Sequence, residues 1–281
     1  MIKSEEIVRS RQNRAVVELC KLADRKGRRE SGCFRTDGLK LLGEAKRAGL
    51  RLESVFLRAS DAERLTEEAE RRYGEDVFAG EGRIILLADE LFDKISEEKS
   101  PEGVICVVKY IDKFKKNATI YNSDFFSTRA HERIVLLESV RDPSNLGAIV
   151  RSAAAMGIDR ILISEDCADV YHPKTLRASM GAVFHVQIDA VEDLPRAIGS
   201  LRGSGRRVFA AALGRDALTL GGFECASGDC VVIGNEGHGL SEAVISACDA
   251  CVFIPQSDAV ESFNAAVAAS ILMWELSGRK R

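Results

Sequence analysis

No stretch of this chain is apolar for long enough to cross a bilayer. The longest run, Ala265 to Trp274, is broken only by Ser270 and falls well short of the roughly 20 residues a spanning helix needs. The first residues, MIKSEEIVRSRQNR, are charged throughout and lack the apolar stretch of an export signal. A soluble, cytoplasmic protein is expected, and its eight scattered cysteines should be reduced thiols. Cys248-Asp-Ala-Cys251 has the spacing of a metal or redox pair. It has no second such pair and no histidines at zinc-finger spacing, so no metal is expected. Internal repeats and low-complexity tracts are also absent.

Net charge is small, −3 over 281 residues, and by itself gives no reason to expect a nucleic acid. Its distribution is another matter. Residues 1–60 hold 15 Lys and Arg against 8 Asp and Glu, while residues 61–130 hold 11 against 16 and residues 131–281 hold 14 against 19. A basic end on an otherwise acidic chain suits either a polyanionic partner or a solvated helical surface.

The hydrophobic periods divide the chain in two. Residues 4–30 read as a basic helix ending near Gly27, residues 37–48 as a second helix and residues 61–73 as a surface helix with paired charges. Val55–Leu57, Ile84–Leu87 and Val104–Val108 read as strands, so residues 1–115 make a small α/β domain. The polar, aperiodic stretch 116–130 reads as a linker. From residue 131 the alternation is stronger. Strands are expected at Ile134–Leu137, Arg160–Ile163, Val183–Ile188, Val208–Ala212, Cys230–Ile233 and Ala250–Ile254. Helices are expected at Leu146–Met156, Ala190–Arg202, Ser241–Ser246 and Phe263–Leu276. Near-continuous apolar strands separated by helices imply a parallel sheet covered on both faces over residues 131–281.

Four stretches carry chemistry. In LESVRDPSNLGAIVR a strand ends in turn residues, and a helix then presents Asn145 and Arg151 near the edge of the sheet where α/β proteins bind ligands. In DVYHPKTLRASMGA the side chains of Lys174, Arg177 and Ser179 suit phosphate oxygens, though a solvated helix face would look the same. In VVIGNEGHGL the glycines at 234, 237 and 239 are spaced neither as a dinucleotide fingerprint nor as a Walker A loop. What remains is a tight turn with Glu236 at its tip. In FIPQSDAVESFN, Ser262 and Asn264 stand at the start of the last helix, placed to cap it or to face a ligand.

Together and in this order, DPSNLGAIVRSAAAMGIDRILI, PKTLRASMGAVF, VVIGNEGHGLS and FIPQSDAVESFNAAVAASILMWE resemble the SpoU (TrmH-like) RNA ribose 2′-O-methyltransferases of the SPOUT superfamily. Residues 1–110, through FRTDGLKLLGEAKRAG, resemble more loosely the L30e-like RNA-binding domain found in that family, with Asp37-Gly38 where members usually have Glu-Gly. The resemblance implies a C-terminal sheet threaded into a deep trefoil knot, a homodimer formed through knot helices, and S-adenosylmethionine bound largely by backbone groups. It implies Gly234, Ile254 and Phe263 as cofactor contacts, and Asn145, Arg151, Glu236, Ser262 and Asn264 as catalytic residues, with no metal. It assigns Lys174, Arg177 and Ser179 to the RNA, ribosomal before transfer RNA, with no DNA or membrane partner. A non-catalytic RNA-binding or assembly factor of the same fold is the alternative. His238 is not required by the family motif and reads as a surface side chain. The chain departs from the family at Phe263, where leucine is commoner, at Ser152, where threonine is frequent, and in Gln256-Ser-Asp-Ala259, which replaces a loop with methionine and glycine.

Overall fold

The computed structural model describes residues 6–74, 78, 82–111, 121–214, 216–226, 228–235, 237–257, 259 and 262–276. They fall into two compact units, one within residues 1–111 and 171–184, the other within 112–170 and 185–281. In chain order the helices are α1 (Arg14–Lys21), α2 (Arg25–Ser31), α3 (Leu39–Arg47), α4 (Ala62–Tyr73), α5 (Asp89–Ile95), α6 (Ser123–Ser127), α7 (Pro143–Met156), α8 (Pro173–Ser179), α9 (Leu194–Gly203), α10 (Glu242–Ala247) and α11 (Ala265–Leu276).

The first unit is built on a sheet of β1 (Ile7–Val8), β2 (Cys33–Asp37), β3 (Leu52–Arg58), β4 (Arg83–Leu87) and β5 (Val104–Lys109). Its order is β1-β4-β3-β5-β2, with β5 antiparallel to both β3 and β2. Val16, Leu19, Phe56, Leu87, Phe92 and Ile105 fill one face of it. The single basic helix expected over residues 4–30 is not what forms in its described part. Asn13 caps α1 by accepting from the Ala15 amide at 3.0 Å, which leaves Ile7 and Val8 free to pair with β4. The helix then stops at Lys21, and α2 packs back against its end. A Cβ on Gly27 would lie 2.1 Å from the Lys21 carbonyl oxygen, and buried Arg28 donates Nη1 to the carbonyls of Leu22 and Ala23, both at 2.7 Å. Gly27 therefore permits a close approach and terminates nothing.

Strand β2 has no counterpart in the sequence reading. Its five residues are all buried, yet three of them are Arg35, Thr36 and Asp37, which conceal the strand pattern. Arg35 solves this with a fork on Asp37, Nε to Oδ2 at 3.2 Å and Nη2 to Oδ1 at 2.5 Å, and a further bond from Nη1 to the Ile95 carbonyl at 3.1 Å. Segment 171–184 belongs to this unit. The Tyr171 ring stacks on Tyr110 with centroids 4.1 Å apart, and its hydroxyl pairs with the backbone N–H and C=O of Ile111.

The second unit carries a seven-stranded sheet, parallel in every pairing, from β6 (Ile134–Leu137), β7 (Arg160–Ser164), β8 (Gln187–Val191), β9 (Val208–Ala211), β10 (Leu218–Thr219), β11 (Cys230–Ile233) and β12 (Ala250–Phe253). The order is β10-β12-β9-β11-β6-β7-β8. This is the α/β fold with a covered parallel sheet that the alternating apolar runs imply. Several boundaries differ, two of them around β8. Residues 182–184 form a 3-10 turn after Met180 and Gly181 turn left-handed at φ 53° and 91°, so the strand expected at 183–188 starts at Gln187. The following helix starts at Leu194 because Asp193 caps it, accepting from the Arg196 amide at 2.9 Å. Of the stretch read as a linker, residues 116–120 lie outside the described residues. Residues 121–130 carry α6, whose Phe126 is fully buried in the core of the second unit.

Candidate functional site

In a parallel sheet every strand delivers its carboxyl end to the same edge, and the loops leaving that edge build the ligand site. Here β11 sits between β9 and β6, with β12 on the far side of β9. The loops after β9, β11 and β12 are therefore neighbours although they leave the chain far apart. A cavity of about 490 Å³ opens among them, lined by Ala211–Leu213, Gly234, Asn235, Gly237–Leu240, Ile254, Gln256, Ser262 and Phe263, with Ala265 and Ala268 of α11 behind. All three residues expected to contact a cofactor, Gly234, Ile254 and Phe263, line this one cavity.

The glycine loop has an internal reason for its composition. Asn235 and Gly239 form a two-residue bridge, exchanging N–H···O bonds of 3.0 and 2.9 Å. A Cβ at Gly234 would lie 2.4 Å from Gly239 C and 2.7 Å from Leu240 N, and Gly239 has φ 67°, so both positions need glycine. Asn235, which the sequence reading passed over, organises the turn. Its Oδ1 accepts from the amides of Gly237 and His238 at 2.8 and 3.2 Å, and its Nδ2 donates to the Ser139 carbonyl at 2.9 Å. An asparagine between glycines was the available signal, because its amide is suited to bind backbone two residues on. His238 is exposed and lines the cavity. Glu236 lies outside the described residues.

The second wall comes from two helices whose N-termini meet at this edge. Helix α7 starts at Pro143, not Leu146, because Asp142 caps it, accepting from the amides of Ser144 and Asn145 at 2.6 and 3.0 Å. Freed from capping, the Asn145 side chain reaches across the fold, and its Oδ1 accepts from Asn264 Nδ2 at 3.0 Å. Asn264 in turn caps α11, its Oδ1 accepting from the amides of Ala266 and Val267 at 2.9 and 3.3 Å. One turn and more further in, Ser270 Oγ donates to Ser152 Oγ at 2.8 Å. Asn145 and Ser152 are seven apart and share a face of α7, so the two helices run side by side from a common end. Ser262 is exposed at the cavity rim.

Arg151 is six residues from Asn145, about 120° round the helix. It is exposed and has no ion-pair partner among the described residues. The residues assigned to RNA lie in the first unit. Lys174 is exposed on the first turn of α8. Arg177 pairs with Glu98 at 3.4 Å. Ser179 is fully buried and donates its hydroxyl to the Leu176 carbonyl at 2.8 Å, so its side chain serves the fold. Burial, with the charges of Cys251 and Asp249 beside it, pushes the Cys248 thiol up to about 12. A thiol that reluctant to ionise makes a poor ligand and a poor nucleophile.

The same edge holds a cluster that the sequence reading did not single out. Asp166, in the loop after β7, accepts from Ser164 Oγ and Ser139 Oγ, both at 2.6 Å, and from Arg141 Nη2 at 3.0 Å. Partial burial alone would raise its pKa. The three donors and the Arg141 charge outweigh that and hold it at about 2.

Known proteins resemble the chain along nearly its whole length. The SpoU rRNA Methylase family matches residues 132–274, and the MRM3-like substrate binding domain matches residues 13–106. The chain is 26% identical over 271 residues to the 23S rRNA (guanosine(2553)-2′-O)-methyltransferase RlmP of Bacillus subtilis (strain 168), covering 96% of this chain and 99% of that one. It is 29% identical over 269 residues to an uncharacterized tRNA/rRNA methyltransferase of Synechocystis sp., covering 95% and 92%. A crystal structure of an AdoMet-bound rRNA methyltransferase from Sinorhizobium meliloti superposes with a TM-score of 0.77 at 26% identity, over 96% and 97% of the two chains.

Proposed function

The chain belongs to the SpoU rRNA Methylase family, and on that premise we propose that it transfers a methyl group from S-adenosylmethionine to a ribose 2′-hydroxyl of structured RNA, ribosomal RNA ahead of transfer RNA. The observation that carries the proposal is the meeting, at one sheet edge, of the backbone-walled cavity and the Asn145–Asn264 pair. The cavity fits the methyl donor. Its volume lies in the range of small-molecule sites, its walls combine apolar side chains and loop backbone with a few polar side chains, and the described lining holds no lysine or arginine to repel a sulfonium. Gly234, Ile254 and Phe263 would hold the donor, which supplies an electrophilic methyl once bound.

The chain's own residues then have to receive the ribose and manage its proton. Asn145, fixed by Asn264, is placed to orient the ribose. Arg151 serves as a stabiliser of the developing alkoxide and not as its base, because a guanidinium has donors and no acceptor for a proton. Ser262 completes the rim, and Glu236 is proposed to partner Arg151. The proton leaves through water or an RNA phosphate oxygen. In the first unit, Lys174 and Arg177 remain proposed RNA contacts.

The wider reading has support of its own. Insertion of β11 between β9 and β6, followed by the return of α11 onto α7 and β11, supports the family's trefoil knot. Val267 and Trp274 lie seven residues apart on α11 and are about half exposed, which supports a homodimer formed through that helix. An RNA substrate and eight free cysteines support a cytoplasmic location, and no described helix is long and apolar enough to cross a membrane.

The test is methyl transfer from labelled S-adenosylmethionine to in vitro transcribed ribosomal and transfer RNA, followed by mapping of reverse-transcription stops at low nucleotide concentration. Incorporation at a single ribose is expected. No incorporation into any of these RNAs would sink the proposal, and binding of RNA without binding of S-adenosylmethionine by calorimetry would leave the non-catalytic alternative.

A further inference from the structure

The Asp166 cluster stands beside the proposed site but takes no part in the chemistry described above. Ser139 is its pivot. It has φ 56°, a conformation that costs a residue with a side chain and persists only where its surroundings enforce it. All three of its polar groups are engaged. Its N–H donates to Ser164 Oγ at 2.8 Å, its hydroxyl donates to Asp166, and its carbonyl accepts from Asn235 Nδ2 at 2.9 Å. Asn235 lines the cavity. The cavity wall is thus joined through Ser139 to Asp166, and Asp166 grips Arg141, which stands one residue before the cap of α7. The Arg141 side chain is two-thirds exposed. Among the described residues its recorded bond is the one from Nη2 to Asp166, which leaves most of its five donors turned to solvent. An exposed ion pair contributes little to stability, so three fixed points on this loop are more than folding requires. They do fix the direction of a guanidinium that stands four residues before Asn145 in the chain.

We infer that Arg141 is an RNA-backbone contact of this site, a guanidinium aimed by Asp166 and Ser139 to take a phosphate next to the reacting ribose. The inference rests on the proposed methyltransferase reading. An arginine fork matches two phosphate oxygens, a geometry that lysine lacks. Asp166 acts through Arg141 and is a positioning residue. One effect separates aim from charge alone. Removing the Arg141 charge weakens RNA binding in either case. Asp166→Asn makes the surface more positive by one unit and would tighten RNA binding if only net charge mattered, whereas it weakens binding if the aim matters.

The experiment measures methyl transfer by the full chain to in vitro transcribed ribosomal and transfer RNAs, with the RNA that wild type methylates carried through a salt series for wild type, Arg141→Gln, Arg141→Lys and Asp166→Asn. Affinity for S-adenosylmethionine is measured by calorimetry on each variant. Arg141→Gln should raise KM for RNA several-fold, with the loss in KM and not in kcat, and reduce the slope of log(kcat/KM) against log salt by about 1. Arg141→Lys should keep the slope and recover part of KM. Asp166→Asn should raise KM. Wild-type affinity for S-adenosylmethionine in all variants shows that the pocket is intact. An active wild type with an unchanged KM and slope in Arg141→Gln, or a lower KM in Asp166→Asn, overturns the inference. An inactive wild type overturns the methyltransferase reading instead.

Discussion

The side-chain amide of Asn264 donates to the side-chain oxygen of Asn145 at 3.0 Å across a separation of 119 residues. Each of the two helix N-termini is capped, one by Asp142 and one by Asn264 itself. The bond between the asparagines is therefore additional to the capping, and it ties the first motif of the second unit to the last.

That double duty can be separated by substitution. Asn264→Ala loses the cap and the link, so it should cost about 1 kcal/mol of stability and most of the methyl transfer. Asn264→Asp keeps an acceptor for the Ala266 and Val267 amides but has no amide to give Asn145. It should retain the melting temperature within a degree or two and still lose turnover. Thermal melts beside transfer assays decide the matter, and equal activity in Asn264→Asp and wild type would show that the link is incidental.

Gly234 is constrained from within its own loop. Since a Cβ there would fall 2.4 Å from Gly239 C, Gly234→Ala must open the Asn235–Gly239 bridge, at a cost of about 1–3 kcal/mol by the usual scale of overpacking. The cavity wall moves with it. Calorimetry should show at least a tenfold loss in S-adenosylmethionine affinity, while the first unit, probed by proteolysis, stays folded. An alanine variant that binds the donor as wild type does would place the wall elsewhere.

Acid should reach Asp166 late. Its folded pKa, about 2, lies below the roughly 3.9 of an unfolded aspartate. Its stabilising contribution is therefore complete above about pH 4 and disappears as pH falls toward 2. The side chain is nearly half exposed, so solvent screening keeps the contribution modest. Urea midpoints measured from pH 6 to pH 2 should show wild type above Asp166→Asn at the upper end, with the gap closing by the lower. A gap that is constant with pH would mean that the cluster stabilises through packing and not through the carboxylate.

The second unit was largely legible because its strands are apolar throughout and its helices sit between turn residues. Val135, Val232 and Ala210 are buried on both faces of the sheet, and runs of that kind read the same in sequence as in structure. The first unit was less so. Strand β2 hides behind Arg35 and Asp37, whose pairing is invisible until the sheet exists. The break between α1 and α2 depends on Arg28 reaching carbonyls five and six residues back. At the site, Gly234, Ile254, Phe263, Asn145 and Asn264 were named from motif resemblance, and the cavity and the asparagine bond bring them together. The turn-forming bonds of Asn235 are local and left a signal in the glycines around it, but its bond to Ser139 and the bonds of Ser139 to Ser164 and Asp166 join loops 25 to 96 residues apart, and no local period or spacing encodes such a bond.

Helix α11 gives the last prediction. Its inner face, with Ala265, Ala269, Leu272 and Met273, is buried, while Val267 and Trp274 remain about half exposed on another. An amphipathic helix would have placed charges there, and between Ala265 and Trp274 this one has none. If a second copy covers that face, Trp274→Glu puts a charge in the interface without disturbing the inner packing. Sedimentation should then show a monomer where wild type is a dimer. The melting curve of the variant should lose the dependence on protein concentration that a dimer shows. A wild type that sediments as a monomer at micromolar concentration, or a Trp274→Glu variant that remains dimeric, would remove α11 from the interface.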